Sequence, residues 1–337
     1  CWAPSASLAN MCTLETEKKF VRSYMDEVYL WWNEIPAVNA GDYSTVAAYF
    51  NALLVRTPDA TGQPKDRFSA VLTSAGADAL QAAALPIVAP STSPVPLAKV
   101  VTSPAGRKVG YVLFNDHDEG AQDALIAAIE GVRDAAVQDL VLDMRYNSGG
   151  FLYVARTAAS MVAGPQSEGK IFEQVRYNSK RQAETAASTF LFSSRLQTAE
   201  SRFPSGYALP QLSLPRLYIL SSGLTCSASE SIVNSLRGID VQVILVGETT
   251  CGKPYGFRRK DNCGLAFFPI EFQGYNAKDF GDYQNGFAPT CAVADNFTGE
   301  LGAPAEPLLA AALKHADSGS CPVSTPARSG NELLSQN

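Results

Sequence analysis

Ser227 and Lys253 are the two residues whose types and spacing could do covalent chemistry without a cofactor. Ser227 stands at the predicted start of a helix, in the segment 225–230 (T-C-S-A-S-E), and Lys253 follows the next predicted strand. A serine hydroxyl needs a base, and a lysine in an apolar setting, here beside Tyr255 and Phe257, can serve as one. The spacing alone favours a simpler interpretation, in which Ser227 only caps the helix and Lys253 lies on the surface.

Other chemical motifs in the sequence are incomplete. Segment 247–253 (G-E-T-T-C-G-K) begins like a phosphate-binding loop, but Pro254 occupies the place of the Ser or Thr that holds Mg²⁺. The two histidines, His117 and His315, lie near no G-x-S-x-G turn, and we predict both to be surface residues. The seven cysteines lack the spacing of a zinc site. We therefore expect neither a metal nor another cofactor.

The composition predicts a folded protein rather than a nucleic-acid binder. The 337 residues suggest about two domains at roughly 150 residues each, and 46% of them are hydrophobic. The net charge is −6, and no cluster of Lys and Arg offers a basic face for a nucleic acid. No apolar run approaches the roughly 18 residues of a membrane helix.

The cysteines indicate an oxidising compartment. Several of the seven stand near Gly, Asn or Pro in predicted loops, where disulfides are more common than reduced thiols. Cys1 as first residue has two interpretations, a lipid-modified cysteine or simply the point at which the sequence was cut.

The hydrophobic periodicity predicts an α/β fold preceded by helices. Helices are expected at 14–34 and 43–55, with an Ala-rich third helix after residue 73, and the Pro-rich stretch 85–106 is a predicted linker. Strands and helices then alternate, which indicates a largely parallel sheet. The predicted strands are 108–115, 139–143, 171–177, 214–220, 241–246 and 265–272, and the predicted helices are 121–136, 151–162, 227–236 and 306–315. Residues 178–210 are polar and irregular, either a flap or an ordinary loop.

Two segments resemble motifs of the C-terminal processing (tail-specific) serine proteases. Residues 139–150 (D-L-V-L-D-M-R-Y-N-S-G-G) are similar to that family's D-L-R-x-N-x-G-G segment. Residues 225–230, followed by 243–253 (V-I-L-V-G-E-T-T-C-G-K), are similar to its S-A-S-E segment and its strand ending in G-E-x-T-x-G-K. A weaker similarity lies at 66–69 (D-R-F-S), and the resemblance as a whole covers roughly residues 107–317.

The resemblance implies a crotonase/ClpP-like βαβ core with a small helical N-terminal domain. The expected division is a helical domain at 1–84, a linker at 85–106, a catalytic core at 107–317 and a flexible tail at 318–337. The family usually inserts a PDZ domain where the linker stands. No G-L-G-F or A-G-L-x-x-G-D run is found here, so that domain was never present, was removed, or is missing from the sequence.

The resemblance also implies a Ser-Lys dyad. Ser227 maps to the nucleophile and Lys253 to the general base. The amides of the oxyanion hole map to Ala228 and to the glycine turn, Gly149 and Gly150, since a Gly-Gly turn lets backbone approach a substrate closely.

Two further positions near the dyad, Glu230 and Phe257, are matched less clearly to the family's motifs. Glu230 could orient the lysine, or it could be an ordinary acidic residue in the first turn of a helix. Phe257 stands where many family members have a glutamine four residues after the lysine, so Lys253 must be positioned in another way.

The position of the cysteines suggests two disulfides. Cys226 precedes Ser227 and Cys251 lies two residues before Lys253, so these two could be bridged if the loops meet. Cys263 with Cys291 is a second candidate pair, and free buried thiols are the alternative for both.

The function implied is that of an exported serine endopeptidase acting on unfolded or C-terminally exposed polypeptides, in the bacterial periplasm or cell envelope. Cys1 is a candidate lipid anchor. The alternative is a non-catalytic relative that binds peptides or lipids on the same scaffold, and an amidase or esterase would differ from the peptidase in substrate only. The sequence leaves the oligomeric state open.

Overall fold

The computed structural model describes residues 2–82 and 93–323, and the chain divides into two compact units. The N-terminal unit comprises Cys1–Pro90, Ile171–Phe190 and Lys253–Asn285. The parallel-sheet unit comprises Ser91–Lys170, Leu191–Gly252 and Gly286–Asn337. The structure thus groups residues 171–190 and 253–285 with the N-terminal region, whereas the sequence placed them within a core at 107–317.

The described residues form eight α-helices and thirteen strands. The helices are α1 Leu14–Val28, α2 Val46–Leu53, α3 Ser74–Ala82, α4 Ala121–Asp134, α5 Leu152–Ala163, α6 Gln182–Ala187, α7 Ala228–Gly238 and α8 Pro307–Ser318. The strands are β1 Ala70–Thr73, β2 Leu97–Thr102, β3 Lys108–Leu113, β4 Asp139–Asp143, β5 Ile171–Tyr177, β6 Thr189–Leu191, β7 Arg216–Ser221, β8 Gln242–Gly247, β9 Tyr255–Phe257, β10 Lys260–Asn262, β11 Leu265–Phe268, β12 Ile270–Tyr275 and β13 Cys291–Ala292. None of these helices is long and apolar enough to cross a membrane.

The parallel-sheet unit is built on six strands in the order β13-β8-β7-β4-β3-β2. Only β2 runs antiparallel to its neighbour. Helix α8 covers one face through Leu308, Leu309 and Leu313. On the other face Gly110 leaves room for Val132 of α4, whose Cγ1 lies 2.6 Å from the place a Cβ would take. Because both faces are covered, the central strands are almost continuously apolar, and the prediction of an α/β fold with a largely parallel sheet is confirmed.

The four central strands of this sheet end side by side. Leu113 of β3 is in register with Asp143 of β4, and Ser221 of β7 with Gly247 of β8. The loops that follow these strands therefore leave from the same, carboxyl edge of the sheet, which is where open parallel sheets place their sites.

The N-terminal unit packs α1 and α2 against short antiparallel strands. Its core includes Phe20, Phe50 and Phe267, with Phe20 and Phe50 both against the Phe267 ring. Helix α1 begins at the N-cap Thr13, whose side chain accepts from the Thr16 amide, and it ends at Val28. The predicted helix at 14–34 was therefore too long. Tyr29, the next residue, takes an extended conformation, and its hydroxyl donates to the buried Asp66.

The segment predicted as one strand at 265–272 is instead two strands. β11 pairs with β1 and β10, whereas β12 pairs with β5 and β9. Pro269 separates them, because proline has no amide hydrogen to donate to a strand partner.

The Pro-rich stretch and the tail are only partly within the described residues. Strand β2 occupies the end of the stretch 85–106, while residues 83–92 lie outside the described ranges, as do Cys1 and residues 324–337. The flexible tail predicted at 318–337 thus falls mostly on residues that are not described.

Candidate active site

The loops at the carboxyl edge of the parallel sheet hold five of the six predicted site residues. Gly149 and Gly150 follow β4, and Ser227, Ala228 and Glu230 follow β7. A buried Arg145 fixes the start of the first loop: its guanidinium donates to Asp143 at 3.0 Å and to Glu306, at the start of α8, at 2.8 Å. The sixth residue, Lys253, is the first residue of a segment of the N-terminal unit.

Ser227 sits in a strained turn at the start of α7. Its φ is 56° and its ψ is −116°, a conformation that costs a non-glycine residue about 1–3 kcal/mol. The turn is held from both sides of the serine, because the carbonyl of Asn147 accepts from the Cys226 amide and from the Ser229 hydroxyl, each at 3.1 Å. Side chains at such sharp strand-to-helix turns are presented away from the backbone, as in the nucleophile turn of α/β-hydrolases.

Gly149 lies directly against the serine turn. A Cβ on Gly149 would stand 2.8 Å from the Ser227 Cβ and 2.9 Å from the Ala228 amide nitrogen, and the φ of Gly149 is +98°. Only glycine fits there. The glycine turn and the first amide of α7, that of Ala228, therefore border the same small region beside Ser227.

The two glycines do not have equivalent amides. The Gly149 amide already donates to Asn147 Oδ1 at 3.0 Å, and Gly149 is buried. Gly150 is exposed, with a φ of +139°. Ala228 is the first residue of α7, and the first amides of a helix have no intrahelical acceptor. Of the two glycines, Gly149 thus has its amide already engaged, whereas Gly150 is exposed.

Glu230 is a fully buried carboxylate that joins two loops. It accepts from the Ser227 amide at 3.1 Å, from the Thr250 hydroxyl at 2.6 Å and from the Gly252 amide at 2.8 Å. Gly252 immediately precedes Lys253 in the chain. Glu230 therefore fixes the backbone leading to the lysine, which is more than the role of a first-turn helix acid.

The disulfides confirm one predicted pair and correct the other. Cys226 is bonded to Cys251, as predicted, and the Cys251 amide donates to the Thr225 carbonyl. The pair Cys263–Cys291 was wrong: Cys263 is bonded to Cys12 and Cys291 to Cys321. Cys263 belongs to the β10–β11 turn of the N-terminal unit, whereas Cys291 lies on β13 of the parallel sheet, and each finds its partner within its own unit.

Lys253 is half-buried beside two aromatic rings. Its Nζ lies 4.3 Å from the centre of the Phe257 ring and 5.6 Å from that of Phe68. The sequence had named Phe257 and Tyr255 as its apolar neighbours. Phe68 comes from the D-R-F-S segment and was missed as a contact of the lysine, although that segment had been noted as a similarity.

Both histidines were wrongly predicted to be on the surface. His117 is fully buried behind the glycine turn, its Nδ1 is 2.9 Å from Asn147 Oδ1, and burial lowers its pKa to about 3. Its Nε2 has no hydrogen-bond partner within the described part of the chain. His315 is largely buried on α8, with Nδ1 2.9 Å from the Tyr218 hydroxyl, and burial lowers its pKa.

Asn147 holds the candidate site together, and the sequence did not single it out. Besides holding the Ser227 turn through its carbonyl, its side chain donates to the Phe114 carbonyl at 3.0 Å. It is the asparagine of the D-L-R-x-N-x-G-G motif, so the motif itself could have identified this residue.

The clusters of possible metal ligands among the described residues are poorly suited to binding a metal. Among the described residues, the three clusters of Cys, His and Glu with mutually close ligand atoms each contain both cysteines of one disulfide. A disulfide sulfur has no thiolate to offer, and thiolate is the form of cysteine that binds metals.

An α/β protein with a strained serine and a glycine turn at the carboxyl edge of its sheet has an arrangement suited to acyl transfer. Comparison with known proteins gives the family. The model of peptidase family S41 matches residues 108–293, and that of the peptidase S41 N-terminal domain matches residues 16–70. The chain belongs to peptidase family S41, which supports a peptidase function of the serine type and bears out the resemblance found in its motifs.

Solved structures share the fold at low sequence identity. A protein of Bacteroides fragilis NCTC 9343 assigned to the S41 proteases is 18% identical, with a TM-score of 0.71, and the match covers 89% of this chain and 97% of that one. A lipoprotein from Streptococcus agalactiae is 11% identical, with a TM-score of 0.56, over 84% of this chain and 93% of that one. No curated protein sequence matches the chain closely enough to count as a relative. The disulfides are compatible with an exported protein.

Proposed function

We propose that the chain is a serine endopeptidase that hydrolyses peptide bonds of unfolded or C-terminally exposed polypeptides through a Ser227–Lys253 dyad. The observation that carries the proposal is the close approach of Gly149 to Ser227 and to the Ala228 amide nitrogen, which brings the glycine turn and the first amide of α7 together beside the serine. Two backbone N–H groups in a fixed position are what the oxyanion of an acyl-transfer intermediate needs.

The proposed reaction has two steps. In the first, Ser227 Oγ attacks the peptide carbonyl carbon while its proton passes to the neutral Nζ of Lys253. The carbonyl oxygen becomes an oxyanion that accepts from Ala228 and Gly150. Lys253 then gives the proton to the leaving amine, the C–N bond breaks and an acyl-enzyme remains. In the second step water attacks the ester with Lys253 again as base, releasing a carboxylic acid and free Ser227.

Glu230 has a positioning role in this scheme. Its carboxylate holds the Ser227 and Gly252 amides at 3.1 and 2.8 Å, so it sets the backbone on either side of the proposed chemistry. We include export to the bacterial periplasm or cell envelope in the proposal, supported by the three disulfides. A lipid anchor at Cys1 remains a prediction.

One observation favours a second candidate, a non-catalytic relative that binds peptides or lipids. Phe257 replaces the glutamine that many members of the family have four residues after the lysine. Because Ser227, Lys253 and the glycine turn are all retained, the peptidase remains the better supported of the two.

Degradation of reduced casein by the unchanged chain, Ser227→Ala and Lys253→Ala tests the proposal. Both variants should lose at least about 1,000-fold in kcat/KM, since nucleophile and base act as a unit. Circular dichroism and thermal unfolding should be unchanged, which separates lost chemistry from lost folding. Small amide and ester substrates assayed in parallel would distinguish an amidase or esterase. Activity that survives either substitution would exclude the dyad, and an inert unchanged chain would favour the binding protein.

A further inference from the structure

Two aromatic rings lie beside Lys253, and one of them, Phe257, stands where many members of the family have a glutamine. We propose that Phe68 and Phe257 are positioning residues for Lys253 and do this with their ring faces. The inference rests on the proposed function, in which Lys253 is the base. It extends that function to a segment, 66–69, with no assigned role.

The distances place the lysine amine over both rings. Lys253 Nζ is 4.3 Å from the Phe257 ring centre and 5.6 Å from the Phe68 ring centre. Both values lie within the roughly 6 Å over which a ring quadrupole attracts a cation. All three residues belong to the N-terminal unit.

Phe68 is held by the buried Asp66. One carboxylate oxygen of Asp66 accepts from the Phe68 amide at 3.1 Å and from the Ser69 amide at 2.9 Å, and the other accepts from the Tyr29 hydroxyl at 2.5 Å. The Ser69 hydroxyl in turn accepts from the Ile270 amide of β12 at 2.9 Å. The D-R-F-S segment is therefore a rigid turn that presents one aromatic ring to the lysine.

Phe257 is held by its strand and by a second ring. It pairs with Ile270 in the β9–β12 ladder, and its ring stands edge-on to Phe268 with the centres 5.5 Å apart. The Phe257 side chain is 37% exposed.

Ring faces suit the two states that a base must pass through. A lysine side chain is flexible, and fixing it costs rotamer entropy. Rings on its flanks limit that freedom, and a ring face offers no hydrogen to the lone pair of the neutral amine. Once the ammonium has formed, the ring faces stabilise it.

The test compares leucine and tyrosine at positions 68 and 257, using cleavage of a peptide. Leucine keeps an apolar side chain but has no ring, whereas tyrosine keeps the ring. Phe68→Leu and Phe257→Leu should each lower kcat about 3- to 30-fold with KM changed less than 2-fold, and Phe257→Tyr should stay within about 2-fold of the unchanged chain. Phe280→Leu, which removes a 43%-exposed ring elsewhere in the same unit, is the matched control.

A second readout needs no peptide substrate. A fluorophosphonate reacts with an activated serine, and its labelling of Ser227, followed by peptide mass spectrometry, should slow in the leucine variants as kcat does. Labelling without peptide cleavage would refute the peptidase activity while leaving the role of the rings supported. Leucine variants that label and turn over like the unchanged chain would overturn the inference. An unlabelled Ser227 in the unchanged chain would refute both proposals.

Discussion

At the scale of single residues, Gly149 carries the tightest constraint in the proposed site. Its positive φ of +98° and its contact with the Ser227 turn both exclude a side chain. Gly223, in the loop that leads to Ser227, is different, since a Cβ there would meet no atom within 4 Å and its φ is not in the left-handed region. The two glycines thus form a matched pair for mutagenesis.

Gly149→Ala should abolish most of the activity, while Gly223→Ala should retain it. The added methyl of Gly149→Ala must push apart the two turns that hold the Ala228 and Gly150 amides, and loss of one oxyanion donor costs about 100- to 1,000-fold in kcat. Steady-state kinetics on a peptide substrate measures the effect. A Gly149→Ala variant with more than a tenth of the normal kcat would contradict this account of the oxyanion site.

Candidate site residues could be named from motifs, whereas burial was predicted poorly. Ser227, Gly149 and Glu230 could be named because their motifs are local in sequence. His117 was misplaced because its N-D-H-D surroundings read as a polar turn, whereas its burial comes from Asn147 and Phe114, 30 and 3 residues away. Burial depends on chain segments that a single motif does not contain.

At the scale of elements, the loops after β7 and β8 are held together by two independent devices. One is the Glu230 carboxylate, and the other is the disulfide between Cys226 and Cys251, which are 25 residues apart. The Cys291–Cys321 disulfide closes a loop of similar length, 30 residues, between β13 and the end of α8. The two bridges differ in which element they hold.

Removing either bridge with serine pairs should destabilise the chain to a similar extent but affect activity differently. Loop-closure entropy predicts that loss of either disulfide lowers the free energy of unfolding by about 3.5 kcal/mol. Cys226→Ser with Cys251→Ser should also lower kcat about 10-fold or more, because the loop that carries Ser227 loses its covalent link to the loop after β8. Cys291→Ser with Cys321→Ser should leave kcat within about 2-fold. Urea unfolding measures the stability of each variant, and steady-state kinetics on the same samples measures kcat. Equal losses of kcat in the two variants would refute a specific role for Cys226–Cys251.

Element types followed from hydrophobic periodicity, whereas element partners did not. The strands β4 and β5 were predicted to the residue, since their apolar runs are bounded by polar or turn residues. The change of sheet at Pro269 and the early end of α1 at Val28 depend on partners elsewhere in the chain, β5 and Asp66 respectively. The same reason explains the wrong partner for Cys263.

At the scale of the whole molecule, the two units are interleaved in sequence, since each is made of three separate segments of the chain. The N-terminal unit takes in residues 171–190 and 253–285, so Ser227 and Lys253 belong to different units. Composition marks a boundary only where the chain passes once between domains, and it therefore pointed to the Pro-rich stretch at 85–106.

The buried His117 should make the stability of the whole molecule depend on pH. Its pKa is about 3 in the folded chain, below the ordinary value of 6.5, because burial disfavours the imidazolium. Between about pH 3 and pH 6.5, the His117 imidazole is therefore protonated in the unfolded chain and neutral in the folded chain. The neutral imidazole contributes stability above about pH 6.5, and this contribution is lost as the pH falls toward 3.

His117→Gln removes the titrating group and keeps a polar side chain. The free energy of unfolding of the unchanged chain, relative to this variant, should fall by about 1.4 kcal/mol per pH unit between pH 6 and 4. Urea unfolding at each pH measures this difference, with His315→Gln as the comparison, whose smaller pKa shift predicts a smaller change. A difference that stays constant from pH 7 to 4 would mean that His117 is accessible to protons in the folded chain, and that the turn behind Gly150 opens.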